Sequence, residues 1–152
     1  MKIALKYGLL VTAVVVAWVL IVRYGLGVGA NAKINTLGFI LFSLAQIAAI
    51  FLGIMARSAE LDEAVSFKEG LRTGVAISFV YGASACLFFL IEYLVAGPKL
   101  LLSDSGAATG PLWQTATKAF AGLFFGALFF GVFYSTIISF VLAKRPIQNR
   151  ER

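Results

Sequence analysis

The chain contains few side chains that could carry out chemistry. It has no histidine and one cysteine, Cys86. Histidine ligands to a metal, histidine general bases and a disulfide within the chain are therefore excluded. The carboxylates of Glu60, Asp62 and Glu63 lie close together, but sequence neighbours without a nearby histidine are more typical of a solvated loop than of a metal site. We expect no catalytic, cofactor-binding or metal site, and we expect that the protein is not an enzyme.

Glu92 is the acidic residue of greatest functional interest, because no other charged residue lies between Arg72 and itself. Ionisable residues within apolar segments often mark transport paths. Arg23 ends another apolar segment, and pairing the two side chains would relieve both charges. The alternative is that Glu92 is an interfacial carboxylate in contact with water.

Three uncharged polar side chains complete the candidate functional set: Gln46, Tyr81 and Tyr134. Each falls near the middle of an apolar segment, and Thr12 lies slightly nearer the cytoplasmic end of its own. Because unpaired polar groups are costly in hydrocarbon, we expect these side chains to point inward and to bond to one another. They serve either as packing contacts or as a layer that binds a solute.

These residues stand in a chain that is too apolar for a water-soluble domain. It is 61% hydrophobic and 13% charged over 152 residues, whereas soluble domains are roughly half apolar and about a quarter charged. A spanning helix needs about 20 apolar residues, and every backbone amide in lipid must be paired within its segment. The sequence predicts an all-α integral membrane protein, a single-domain four-helix antiparallel up-down-up-down bundle with spans at 7–24, 34–56, 74–95 and 119–143.

The positions of the basic residues predict the orientation. Of the 13 Lys and Arg residues, nine fall on the side of both termini and four on the other. The excess places both termini in the cytoplasm, with a cytoplasmic loop and helix start at 55–73, an outer loop at 96–118 and a basic cytoplasmic tail at 144–152. Residues 30–32 resemble a signal cleavage site, but Arg23 interrupts the approach to it, so we expect the first span to be retained.

The stretch before the third span, "SFKEGLRTG", carries a helix-start signal. Ser66 and Glu69 have the spacing of a capping box, so we expect the third helix to begin at Ser66, before the hydrocarbon begins. Phe67 can then enter the acyl boundary, while Lys68 and Arg72 contact anionic headgroups. Because the basic residues lie at segment ends and not on one face, we expect membrane lipids and no nucleic acid as partners.

Small residues recur every four positions in the third and fourth spans. Such spacing lets helices approach closely in a bilayer. The fourth span has two small faces, one for packing within the bundle and one for a homodimer or another membrane protein. The predicted packing positions are Gly74, Ser78, Gly82, Gly122, Gly126 and Gly131.

Three short stretches carry a family resemblance: "KYG" at the start of the first span, "SFKEGLRTG", and the closing "YSTIISFVLAKR". With these the chain resembles a bacterial four-pass membrane family of unknown function, domain of unknown function 4199. The resemblance implies a four-helix protein of the bacterial inner membrane and no known reaction, so it transfers no catalytic residue. The outer loop is longer and more apolar than the family pattern.

We therefore expect an integral inner-membrane protein without enzymatic activity, acting as an accessory, scaffold or lipid-interacting subunit. The alternative is a small dimeric transporter or channel whose path is lined by Glu92, Arg23 and the level of Gln46 and Tyr81. This alternative requires a water-accessible cavity that reaches Gln46.

Overall fold

The computed structural model describes residues 1–26, 32–61, 65–96 and 112–143, and within these ranges the protein is all-helical, with no strand. Four long helices make up these ranges: α1 (Lys2–Leu20), α2 (Ala32–Leu61), α3 (Phe67–Ala96) and α4 (Leu112–Ala143). A π-helical turn, Ile21–Gly25, continues α1 and closes with a bond from Leu26 N to Ile21 O of 2.9 Å. By length and composition each of the four helices is apolar and long enough to cross a membrane.

The helices extend beyond the spans predicted from hydropathy. α1 begins at Lys2 and not at residue 7, and α2 continues to Leu61, five residues past the predicted end. Of the segment predicted as a loop and helix start, 55–73, the part up to Leu61 therefore belongs to α2 and the part from Phe67 onward belongs to α3. Residues 62–64, the outer loop from 97 to 111 and the 144–152 tail lie outside the described residues.

The start of α3 is fixed by Ser66, as the capping box predicts. The Ser66 hydroxyl accepts a bond from Glu69 N at 3.3 Å, and Gly70 N donates to Ser66 O at 3.0 Å. The Glu69 carboxylate differs in detail from the expected box: it accepts from the Ser66 hydroxyl at 3.3 Å. The cap satisfies amides that have no partner within the first helical turn.

The two middle helices, α2 and α3, hold the fold together. They contact each other, and each of them contacts both α1 and α4. Across the described ranges no contact joins α1 to α4. The longest shared surface is that between α3 and α4, so the residues along it decide how the bundle packs.

Small and branched side chains make up much of the interior. Val11, Ile50 and Ile77 are fully buried, as are the serines Ser78 and Ser135. On α4, by contrast, Phe125 is 66% exposed and Phe129 is 69% exposed. Large apolar side chains thus cover the outer surface of these helices, which is unusual for a soluble domain.

Candidate functional site

The contact surface between α3 and α4 sets glycines on one helix against serines on the other. We call it the α3–α4 seam; its residues are Gly70, Gly74, Ser78 and Gly82 on α3 and Ala127, Gly131, Ser135 and Ser139 on α4. A Cβ added at Gly70 would lie 2.5 Å from Ser139 Oγ, and one at Gly74 would lie 2.7 Å from Ser135 Cβ. A Cβ on Gly131 would collide with the Ser78 side chain. These three positions therefore admit only glycine at this helix separation.

Gly82 continues the seam with a looser contact. A Cβ there would meet Phe124 Cδ2 at 3.2 Å and Ala127 Cβ at 3.4 Å. These distances require a small shift of the neighbours, and an aromatic ring edge can make such a shift more easily than a backbone. An added side chain is thus tolerated better at Gly82 than at Gly74, although the four-residue spacing in the sequence does not distinguish the two positions.

The serines in the seam are satisfied mainly by their own helices. Ser78 Oγ donates to Gly74 O at 3.0 Å, and Ser135 Oγ donates to Gly131 O at 2.5 Å. This back-bonding to the carbonyl four residues earlier is a common way to place a hydroxyl in an apolar setting. Ser139 differs: its buried Oγ has no hydrogen-bond partner among the described residues.

Gln46 joins three helices through its amide nitrogen. From α2 it donates to Ser78 Oγ on α3 at 3.1 Å and to Ala127 O on α4 at 2.9 Å. The side chain is 4% exposed. The arrangement places a polar group in the bundle interior where the protein itself supplies its partners.

A second polar contact joins α1 to α3. The Thr12 hydroxyl donates to Ser84 Oγ at 2.6 Å, and the Ser84 hydroxyl in turn donates to Val80 O of its own helix at 2.6 Å. Gly8 makes the approach close, because a Cβ there would lie 2.7 Å from Val80 Cβ. Gly8 and Ser84 are not among the positions predicted from the sequence, although Gly8 and Thr12 have the same four-residue spacing as the small residues of α3.

The expected mutual bonding of the inner polar residues does not occur within the described residues. Gln46 and Thr12 bond to serines, as given above. Tyr81 lies buried in the core, 5% exposed, and Tyr134 is half-buried with its ring stacked on Phe130 at 5.9 Å between centroids. The serines can accept these bonds because their short side chains lie where the helices approach each other.

Glu92 is half-buried in α3, and its Oε2 atom is buried without a hydrogen-bond partner among the described residues. Arg23 belongs to the π-helical turn, but its side chain lies outside the described part of the structure. The Arg23–Glu92 pair therefore stays a prediction. Within the described ranges no three His, Cys, Asp or Glu side chains are grouped as metal ligands would be; Asp62 and Glu63 are outside those ranges.

Gly122 and Gly126 differ from the other predicted packing glycines. A Cβ added at either one would meet no atom within 4 Å. They do not pack within the bundle, because α4 turns its other small face toward α3. The two small faces predicted for the fourth span thus separate into an occupied seam and an open face.

The predicted headgroup contacts lie at the start of α3. Phe67 is 40% exposed, and Lys68 and Arg72 are both exposed. None of these three side chains is buried in the bundle interior.

Comparison with family models, with curated proteins and with solved structures gives no match for this chain. The resemblance to the four-pass family stays a prediction, and no relative contributes a functional residue. The function of the protein is therefore inferred from its geometry alone.

Proposed function

We propose that this chain is an integral protein of the bacterial inner membrane, an antiparallel up-down-up-down bundle with both termini in the cytoplasm. It acts as a non-enzymatic accessory or scaffold subunit in contact with membrane lipids. The observation that carries the proposal is the apolar outer surface: large side chains such as Phe125 and Phe129 are exposed, while glycines and serines let α3 and α4 pack closely. In lipid, which is as apolar as leucine, helices associate by close backbone approach and interhelical hydrogen bonds.

The arrangement around Gln46 favours this function over a transporter. A path for a solute needs polar groups that are free to exchange partners with it. The Gln46 amide nitrogen instead donates to two protein acceptors, and a Cβ on Gly131 would lie 3.1 Å from that nitrogen. This part of the interior serves cohesion between helices.

The open face at Gly122 and Gly126 supports a subunit role. A Cβ at either glycine would meet no atom within 4 Å, and glycines four residues apart on such an open face allow another helix to approach closely. We propose that a second copy of this chain packs there, which makes the protein a scaffold that joins copies of itself in the bilayer.

The test is co-purification of two differently tagged copies from membranes solubilised in mild detergent. We expect the two tags to co-purify for the natural chain and to separate when Gly122 and Gly126 are both changed to leucine. The matched control changes Ala48 and Ala83 to leucine, since both are exposed on other helices; it should leave association intact. Association that survives Gly122→Leu/Gly126→Leu would contradict the proposed face.

A further inference from the structure

An open cavity of about 420 Å³ lies between the first turns of α1 and the last turns of α2. Its volume is within the range of about 300–1,000 Å³ that is usual for small-molecule sites. Lys2 and Lys6, one helical turn apart, line one wall, and Ala56 and Ala59 line the opposite wall. The small alanine side chains leave the space open, so the two lysines face a volume and not a packed surface.

The charges around this cavity are predominantly positive. Glu60 also lines it, but its Oε2 atom is paired with Arg57 Nη1 at 3.0 Å. Lys2, Lys6 and Arg57 contribute three positive charges against one negative charge, a balance of two positive charges.

The rest of the lining suits the neck of a lipid better than a free ion. Ile3 and the ring of Tyr7 give the cavity an apolar side, and Lys6 Nζ lies 5.5 Å from the centre of that ring. The surfaces of α1 and α2 next to the cavity expose Leu9 and Leu52. A molecule bound here would meet cations at one end and aliphatic side chains along the helices.

We propose that this cavity binds the phosphate-bearing headgroup of an anionic phospholipid, with Lys2 and Lys6 on the phosphate and the acyl chains along the outer surfaces of α1 and α2. Basic pockets between spanning helices on the cytoplasmic side are a known form of anionic lipid site. The proposal rests on the membrane insertion proposed above and is separate from the headgroup contacts of Lys68 and Arg72 on α3.

The test is native mass spectrometry of the full chain in detergent, titrated with short-chain phosphatidylglycerol or short-chain phosphatidylcholine. We expect saturable binding of one phosphatidylglycerol per chain. Lys2→Gln/Lys6→Gln should weaken that binding about thirtyfold, since two lysines near a lipid anion contribute on the order of 1 kcal/mol each and 1.4 kcal/mol is tenfold. The control, Lys118→Gln, removes the charge of an exposed lysine on α4 that lies away from the cavity, and it should keep the saturable site.

A second variant tests the cavity itself. Ala59→Leu leaves the charge unchanged and fills the space, so it should also weaken phosphatidylglycerol binding. Wild-type binding by Ala59→Leu or by Lys2→Gln/Lys6→Gln would overturn the proposal. Equal binding of phosphatidylcholine would overturn it too, and competition by millimolar inorganic phosphate would assign the site to a free ion.

The outcome is distinguishable from a failure of the proposed function. A chain that fractionates with membranes and associates through Gly122 and Gly126, but does not bind phosphatidylglycerol, contradicts the lipid site alone. A chain that is extracted from membranes by alkaline carbonate contradicts membrane insertion and, with it, both proposals.

Discussion

Gln46 shows how one residue can act on three helices. Its amide nitrogen ties α2 to Ser78 on α3 and to the Ala127 carbonyl on α4. Hydropathy identifies it as the polar residue at the middle of its span, and the four-residue stripe identifies Ser78. Their contact was not predictable, because it depends on the rotation of α2 about its own axis, which a single sequence does not fix.

Replacing Gln46 by leucine should lower the free energy of unfolding in detergent by about 1 kcal/mol, since hydrogen bonds between membrane helices average about 0.6 kcal/mol and two are lost. Ser78→Ala should cost less, because Ser78 bonds mainly to its own helix. In a double-mutant cycle the pair should couple by about 0.5 kcal/mol. Complete additivity would show that the bond seen between them does not contribute to stability.

At the scale of elements, the sequence predicts the existence of all four helices, and it is less accurate about where they end. Hydropathy detects the part of a helix that can lie in hydrocarbon, so it misses the polar turns at Lys2 and up to Leu61. The start of α3 was predicted correctly because the spacing of Ser66 and Glu69 is a capping signal that does not depend on hydropathy. Which of the two faces of α4 packs against α3 could be learned only from the structure, since both faces carry small residues at the same spacing.

The cap at Ser66 offers a test at this scale. Ser66→Ala removes the acceptor for Glu69 N and should destabilise the first turn of α3 by about 1 kcal/mol. Hydrogen exchange should accelerate at the amides of residues 67–70 while the centre of α3 is unchanged. Thr136→Ala is the control, because that exposed hydroxyl donates to Val132 O within α4 and caps nothing; equal exchange in both variants would contradict a capping role.

For the whole molecule, the apolar outer surface and the asymmetry of basic residues combine into a prediction of orientation. With Cys86 replaced by serine, we introduce one cysteine at Lys68 or at Thr117, both exposed in the structure. In intact cells a membrane-impermeant maleimide should label the Thr117→Cys chain and not the Lys68→Cys chain. Both should react after the cells are opened, and the opposite pattern would invert the proposed topology.

The hydroxyl bonds along the seam have a consequence for biogenesis. If the helices insert into lipid as proposed, α4 would do so with the Ser135 hydroxyl already bonded to a carbonyl of its own helix. Gln46 has no such arrangement, since both of its acceptors belong to helices synthesised after it. We therefore expect the Gln46 amide of α2 to lack partners until α3 and α4 are in place, which would favour the assembly of α3 and α4 around it.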